Sequence, residues 1–223
     1  MVRYVRLSEI SDGKLYGLND MARTDCNGCK GCSACCRGMG NTITLDPYDL
    51  YNLTIHLNMT FEELMTDKLE LSVVDGIALP NLKMTEGTDC CSFLNREGRC
   101  EIHRFRPGFC RLFPLGRYYE NDSIQYILQI HECKYPSKTK VRVSKWIGIP
   151  DIKAYEAYVL EWHSFLKELQ TVIGRVKELT LVKQINLYTL KLFFMKPYEK
   201  EAAFYPQFYE RFVQAKDLIN SLD

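Results

Sequence analysis

The feature that most constrains this chain is a run of thiols, Cys26-Asn-Gly-Cys29-Lys-Gly-Cys32-Ser-Ala-Cys35-Cys36. Thiols three residues apart reach one ion or cluster only if the backbone turns tightly. Gly28, Gly31, Ser33 and Ala34 keep that backbone close, so amide N–H groups can point at sulfur. The pattern suits iron–sulfur clusters, whose ligand runs include C-x2-C-x2-C, and it suits zinc knuckles built from C-x2-C pairs. The adjacent Cys35 and Cys36 diverge from the backbone and do not easily serve one tetrahedral ion together. Two neighbouring sites, or one polynuclear site, is the simpler expectation.

A second set of thiols follows: Cys90-Cys91, then Arg99-Cys100-Glu-Ile-His103, then Arg106-Pro107-Gly-Phe-Cys110-Arg111-Leu-Phe-Pro114, and last Cys133. All 10 cysteines of the 223-residue chain lie between Cys26 and Cys133. They are a local device, and the compartment decides how to read them. The N-terminus has early positive charges but no apolar run behind them, so no secretory leader is expected. No segment approaches the ~18 uninterrupted apolar residues that span a bilayer. A cytoplasmic protein keeps its thiols reduced, and there such clusters mean metal or catalysis more often than disulfides. Ten inert core cysteines would not be paired at this spacing. A dithiol redox couple through one C-x2-C pair would leave the other thiols without a role.

The chain reads as an α+β protein in three stretches: a lead-in over 1–25, a cysteine-bearing metal-binding body over 26–149, and a helical C-terminal extension over 150–223. In the lead-in, Tyr4, Val5 and Leu7 are strand positions and Ser11-Asp12-Gly13 is a turn. In the body, 42–45 reads as a brief strand. Asp46-Pro47 supplies an N-cap and a favoured first helical residue, with helix to about position 56. Thr60-Phe61-Glu62-Glu63 has the spacing of a capping box. Asp75-Gly76 between apolar runs marks a hairpin. Residues 92–94 and 99–102 flank a turn at 95–98, and 115–119 pairs with 123–130. Beyond position 150, Ile152, Tyr155, Tyr158, Val159, Trp162, Phe165, Leu166, Leu169 and Val172 recur at helical spacing. Further helices are expected over 176–196, stopping before Pro197, and over 207–222.

Cys29-x2-Cys32-x2-Cys35-Cys36, Cys91, Cys100-x-Ile-His-x-x-Arg106-Pro107-x-x-Cys110-Arg111-x-Phe-Pro and a late Cys133 resemble the C-x2-C-x2-CC cysteine-cluster family, a zinc- or iron-chelating domain related to the flagellin lysine N-methylases. The resemblance covers about residues 26–133. It implies a ligand core of Cys29, Cys32, Cys35, Cys36, Cys91, Cys100, Cys110 and Cys133. Cys26 and Cys90 are additional candidate ligands, and His103 stands where the family usually has tyrosine. The ligands then number eight in two sites of four, or ten with more metal. Arg106 and Arg111 sit beside ligand cysteines, where a guanidinium compensates charge and donates N–H to sulfur. Arg37, next to Cys36, is a weaker case of the same kind. His103 and His131 lie near cysteines, but thiols enough are present without them.

The triplet of thiols and the two additional cysteines favour an iron–sulfur cluster, [4Fe–4S] above all, over zinc. The expected function is cluster binding that serves electron transfer, cluster delivery or a partner enzyme, with a redox or enzyme protein as partner. Two alternatives stand beside it: a protein-lysine N-methyltransferase-like enzyme, as the family relation implies, and a zinc-stabilised interaction module. With 29 basic and 28 acidic residues the chain has no global field for nucleic acid or anionic lipid, so neither nucleic acid nor membrane is an expected partner. The basic run Lys138, Lys140, Arg142 and Lys145 lacks stacking aromatics beside it. No G-x-G-x-x-G, P-loop, H-E-x-x-H or C-x3-C-x2-C motif is present, and no residue is marked as catalytic.

Overall fold

The computed structural model describes residues 6–27 and 32–222. In chain order its elements begin with α1 (Leu7–Ile10), β1 (Ser11–Tyr16), β2 (Met21–Asp25), α2 (Pro47–Leu57), α3 (Phe61–Asp67), β3 (Leu69–Val74), β4 (Ile77–Leu82), β5 (Met84–Thr85) and β6 (Cys90–Cys91). They continue with α4 (Gly108–Leu112), β7 (Leu115–Glu120), β8 (Ser123–Gln129), β9 (Thr139–Arg142), α5 (Val143–Ile147), α6 (Ile152–Arg175), α7 (Leu179–Leu190) and α8 (Phe204–Leu222). The class is α+β. The chain divides into two units, each assembled from separated stretches. One holds residues 1–40, 84–103 and 107–160, and the other holds 41–83, 104–106 and 161–223.

The first unit is built on antiparallel pairs. β8 is the middle strand of a three-stranded sheet in the order β1-β8-β7, β2 pairs with β9, and β5 with β6. The β7–β8 hairpin forms where the sequence places it, Glu120↔Ser123 closing on Asn121 and Asp122, both at positive φ of 49° and 53°. Short polar side chains tolerate that conformation, and the two-residue turn matches the strand twist. Residues 152–160 of α6 belong to this unit and are anchored by polar contacts. Arg117 donates to the Tyr155 hydroxyl at 2.7 Å, and the Tyr126 hydroxyl donates to Glu156 at 2.7 Å. Tyr126 is only 1% exposed, so that bond satisfies a hydroxyl with little other access to water.

The second unit packs helices and a hairpin around an aromatic core. Asp46 and Asp49 form a reciprocal capping box at the start of α2, and Thr60 and Glu63 form another at α3. Each is worth about 1 kcal/mol. The β3–β4 hairpin turns at Asp75 and Gly76, with φ of 52° and 83°. Gly76 is required twice over, because a Cβ there would lie 3.0 Å from Ile173 Cγ2. Asn186 of α7 clamps the hairpin, accepting from the Ala78 N–H at 2.7 Å and donating to the Gly76 carbonyl at 3.0 Å. Trp162, Phe193 and Phe208 pack with ring centroids 5.0–6.3 Å apart, edge-on or tilted.

Three local expectations are corrected. Leu7 is helical, in α1, while Tyr4 and Val5 lie outside the described residues. Ser11-Asp12-Gly13 is part of β1, and its turn chemistry appears as a register irregularity between Ser11 and Leu15. Residues 42–45 make a single bridge, Thr44↔Asn81, rather than a strand.

Candidate metal centre

All nine cysteines the structure describes fall in the first unit, and all are thiols without disulfides. Cys29 lies outside the described residues. Short pairings of distant strands gather the others.

The β2–β9 ladder sets Asp25 opposite Thr139. The residue after β2 is Cys26, and the segment just before β9 carries Cys133 and Lys138, so the ribbon brings both thiols to one end. Cys26 is 3% exposed. The Cys133 thiol is pushed up by burial, against a backbone hydrogen bond at Tyr135 and the Lys138 ammonium, with Cys26 and Cys32 close enough for their charges to be felt. Lys138 also donates to the Cys133 carbonyl at 2.8 Å, pinning the loop. Cys26, Cys32 and Cys133 thus share one neighbourhood.

Cys35 and Cys36 sit on a single 3-10 turn, Ala34–Cys36, closed by the Cys36 N–H on the Ser33 carbonyl at 2.9 Å. The Cys36 thiol is pushed far up. The largest cause is its hydrogen bond with Cys35, so the two thiols meet on the tight turn instead of diverging as expected; burial and the nearby charges of Cys35, Cys100 and Cys110 follow. Cys100 arrives from the far side of the turn at 95–98, through the Leu94↔Cys100 bridge. Cys110 is carried by α4. These four thiols form a second neighbourhood.

Cys90 and Cys91 are adjacent on a strand and therefore face opposite ways. Cys91 is buried at 8% exposure. Cys90 is half-buried and otherwise occupied: Arg37 donates to its sulfur at 2.7 Å, and the thiol donates to the Thr88 carbonyl at 3.2 Å. The Arg37↔Cys90 bridge and the Gly38 N–H on the Asp89 carbonyl at 2.9 Å tie the end of the first thiol run to β6.

Of the arginines expected beside thiols, Arg111 follows Cys110 on α4 and Arg106 belongs to the second unit. The Arg37 guanidinium bonds a cysteine sulfur, that of Cys90. Its position after Cys36 was the only sequence signal, since the partner, Cys90, is 53 residues away. His103 and His131 are exposed, and His56 stacks on Phe105 in the second unit at 4.6 Å.

Among the described residues, no three His, Cys, Asp or Glu side chains already converge as a closed metal cage. The donor set nevertheless fits a thiophilic metal. It is almost entirely sulfur, grouped, and partly withdrawn from water, which suits zinc or iron and disfavours magnesium or calcium. Residues 28–135 match the family CxxCxxCC, described as "Putative zinc- or iron-chelating domain". The match covers 108 of the 223 residues, so this stretch is similar to that family. No curated protein and no solved structure matches the chain. The matched stretch spans both thiol neighbourhoods except for Cys26, which lies just before it. The family's description supports metal binding by this stretch, of zinc or iron. No helix among the described residues is long and apolar enough to cross a membrane.

Proposed function

We propose that this cysteine-bearing stretch holds iron–sulfur clusters, one in each thiol neighbourhood, and passes electrons to a partner protein. The observation that carries this reading is the hydrogen-bonded Cys35–Cys36 pair with Cys100 and Cys110 close by. Adjacent thiols strain to ligate a single zinc ion, whereas a polynuclear cluster gives each thiolate its own iron. Cys26, Cys32 and Cys133 supply three thiolates to the other site, and the C-x2-C-x2-C spacing supplies Cys29 as the fourth.

Bound there, a [4Fe–4S] cluster supplies a one-electron couple. The protein's residues do the rest. Cys26 sits in an almost water-free position, which lowers the local dielectric and strengthens every charge interaction with the thiolates. Lys138 places an ammonium by Cys133, offsetting thiolate charge. Arg37, bonded to Ser33 at 3.3 Å and to Cys90, holds the turn that presents Cys35 and Cys36.

The test is reduction of the anaerobically purified chain by dithionite, followed by absorption and electron paramagnetic resonance. Bleaching of a broad band near ~400 nm with a new resonance supports the reading. A colourless protein that holds zinc and gives no redox response overturns it and leaves a zinc-stabilised module.

A further inference from the structure

The first unit contains a cleft that metal chelation does not use. α5 is capped by Gly148, whose φ of 63° turns the chain sharply, and α6 starts four residues after that cap. The corner so formed borders an open, solvent-facing cleft of about 480 Å³ lined by Arg142, Ser144, Lys145, Ile149, Asp151, Ile152 and Lys153. Three cations therefore face one carboxylate. Asp151 is partly engaged already, since its Oδ1 accepts the Ala154 N–H at 3.2 Å in the first turn of α6.

Arg142, Lys145 and Lys153 are all exposed, and among the described residues none of them makes a side-chain hydrogen bond or ion pair. Like charges on neighbouring turns repel, so an unneutralised trio costs stability unless an anion joins it. The framework is firm: Val143, Ile147 and Ile149 are all under 9% exposed and anchor the corner beneath the cations. The volume of the cleft falls in the range of small-molecule sites.

We propose that this cleft binds a small phosphorylated molecule. Arg142, Lys145 and Lys153, with the Ser144 hydroxyl, would take the phosphate oxygens. A phosphate offers three acceptor oxygens and close to two negative charges, which matches several separate donors better than a single carboxylate does. Ile149 and Ile152 supply the apolar wall for the body of the molecule. The site also touches the thiol region through the backbone. Arg142 lies opposite Met21 at one end of the β2–β9 ribbon, and Thr139 lies opposite Asp25, next to Cys26, at the other. The separation is about 10 Å of strand.

The experiment is calorimetric titration of the full metal-loaded chain with pyrophosphate, AMP, inorganic phosphate and adenosine at low salt. Saturable binding of pyrophosphate or AMP is expected, with no binding of adenosine. The double variant Lys145→Gln/Lys153→Gln should weaken the binding about tenfold or more. Asp151→Asn, which keeps a capping oxygen but removes the opposing charge, should tighten it. Circular dichroism and metal content, unchanged in both variants, separate these effects from misfolding. Absence of saturable binding, or binding that the double variant leaves unaltered, overturns the proposal. So does a single-stranded oligonucleotide that binds far more tightly than AMP and loses its affinity in the same variant.

Discussion

The Arg37 guanidinium donates to the sulfur of Cys90 at 2.7 Å, across 53 residues of sequence. The contact staples the turn bearing Cys35 and Cys36 to strand β6, whose next residue is the buried Cys91. Because the contact is partly exposed, its strength should be that of an ordinary hydrogen bond to a charged donor, about 1 kcal/mol. Arg37→Leu and Cys90→Ser should each lower the urea unfolding free energy by roughly that amount, and the double variant should cost little more than either alone. Additive losses would show that the two side chains do not support each other.

Cys26 and Cys90 are the two thiols outside the ligand core that the resemblance implies, and their surroundings differ. Cys26 is buried in the neighbourhood of Cys32 and Cys133, while Cys90 is held by Arg37 and Thr88. Cys26→Ser should therefore reduce bound metal about as much as Cys133→Ser does, with stability falling in parallel. Cys90→Ser should keep its metal. Elemental analysis of the three variants decides it, and equal loss from Cys26→Ser and Cys90→Ser would contradict this assignment.

In the second unit, Arg211 is 3% exposed and donates to three backbone carbonyls, Leu192 at 3.0 Å, Lys196 at 2.7 Å and Pro197 at 2.7 Å. Its guanidinium also lies 3.6 Å from the centre of the Tyr198 ring. Burial pulls its pKa down, and the carbonyls it serves all lie just after α7. Arg211→Ala leaves these acceptors buried and opens a cavity, so a loss of about 3–5 kcal/mol is expected. Thermal unfolding should register it, and Arg211→Lys should restore only part because a single ammonium cannot span the fork.

Glu156 gives a pH signature. Burial pushes its carboxyl up, and the Tyr126 hydroxyl and Arg117 only partly oppose that. A carboxyl raised in the folded state binds its proton more tightly there than in the unfolded chain. Its contribution is then fully present below the ordinary value of 4.5 and is lost as pH rises through the folded value. Glu156→Gln keeps an acceptor for Tyr126 but never charges. The stability of the variant relative to the natural chain should improve between pH 4.5 and 7, as read from paired urea midpoints. A difference that is flat or reversed across that interval would contradict the burial account.

What was legible in the sequence was local. Asp46-Pro47, Thr60 with Glu63, and Asp75-Gly76 each carry their own hydrogen-bond or φ requirement within a few residues, and each formed the expected element. The stripe on α6 was readable for the same reason: Tyr155, Tyr158, Trp162, Phe165, Leu169 and Val172 are all buried. Pairings across long loops were not legible. Nothing near Met21 announces that it faces Arg142, or that Arg37 meets Cys90. The thiol motif announced a metal site and a family resemblance, but its grouping depends on those ladders, because β2–β9 brings Cys133 to Cys26 and β5–β6 turns Cys91 inward. Isolated bridges such as Thr44↔Asn81 defeat a strand reading because a single residue pair leaves no alternating pattern.

If each thiol neighbourhood carries an iron–sulfur cluster as proposed, the metal content of the loaded chain is fixed. The most direct measurement is iron, acid-labile sulfide and zinc per chain in protein purified without oxygen. Iron and sulfide are expected in equal amounts, about eight of each for two [4Fe–4S] clusters, with zinc near zero. About two zinc ions per chain and no sulfide would contradict it.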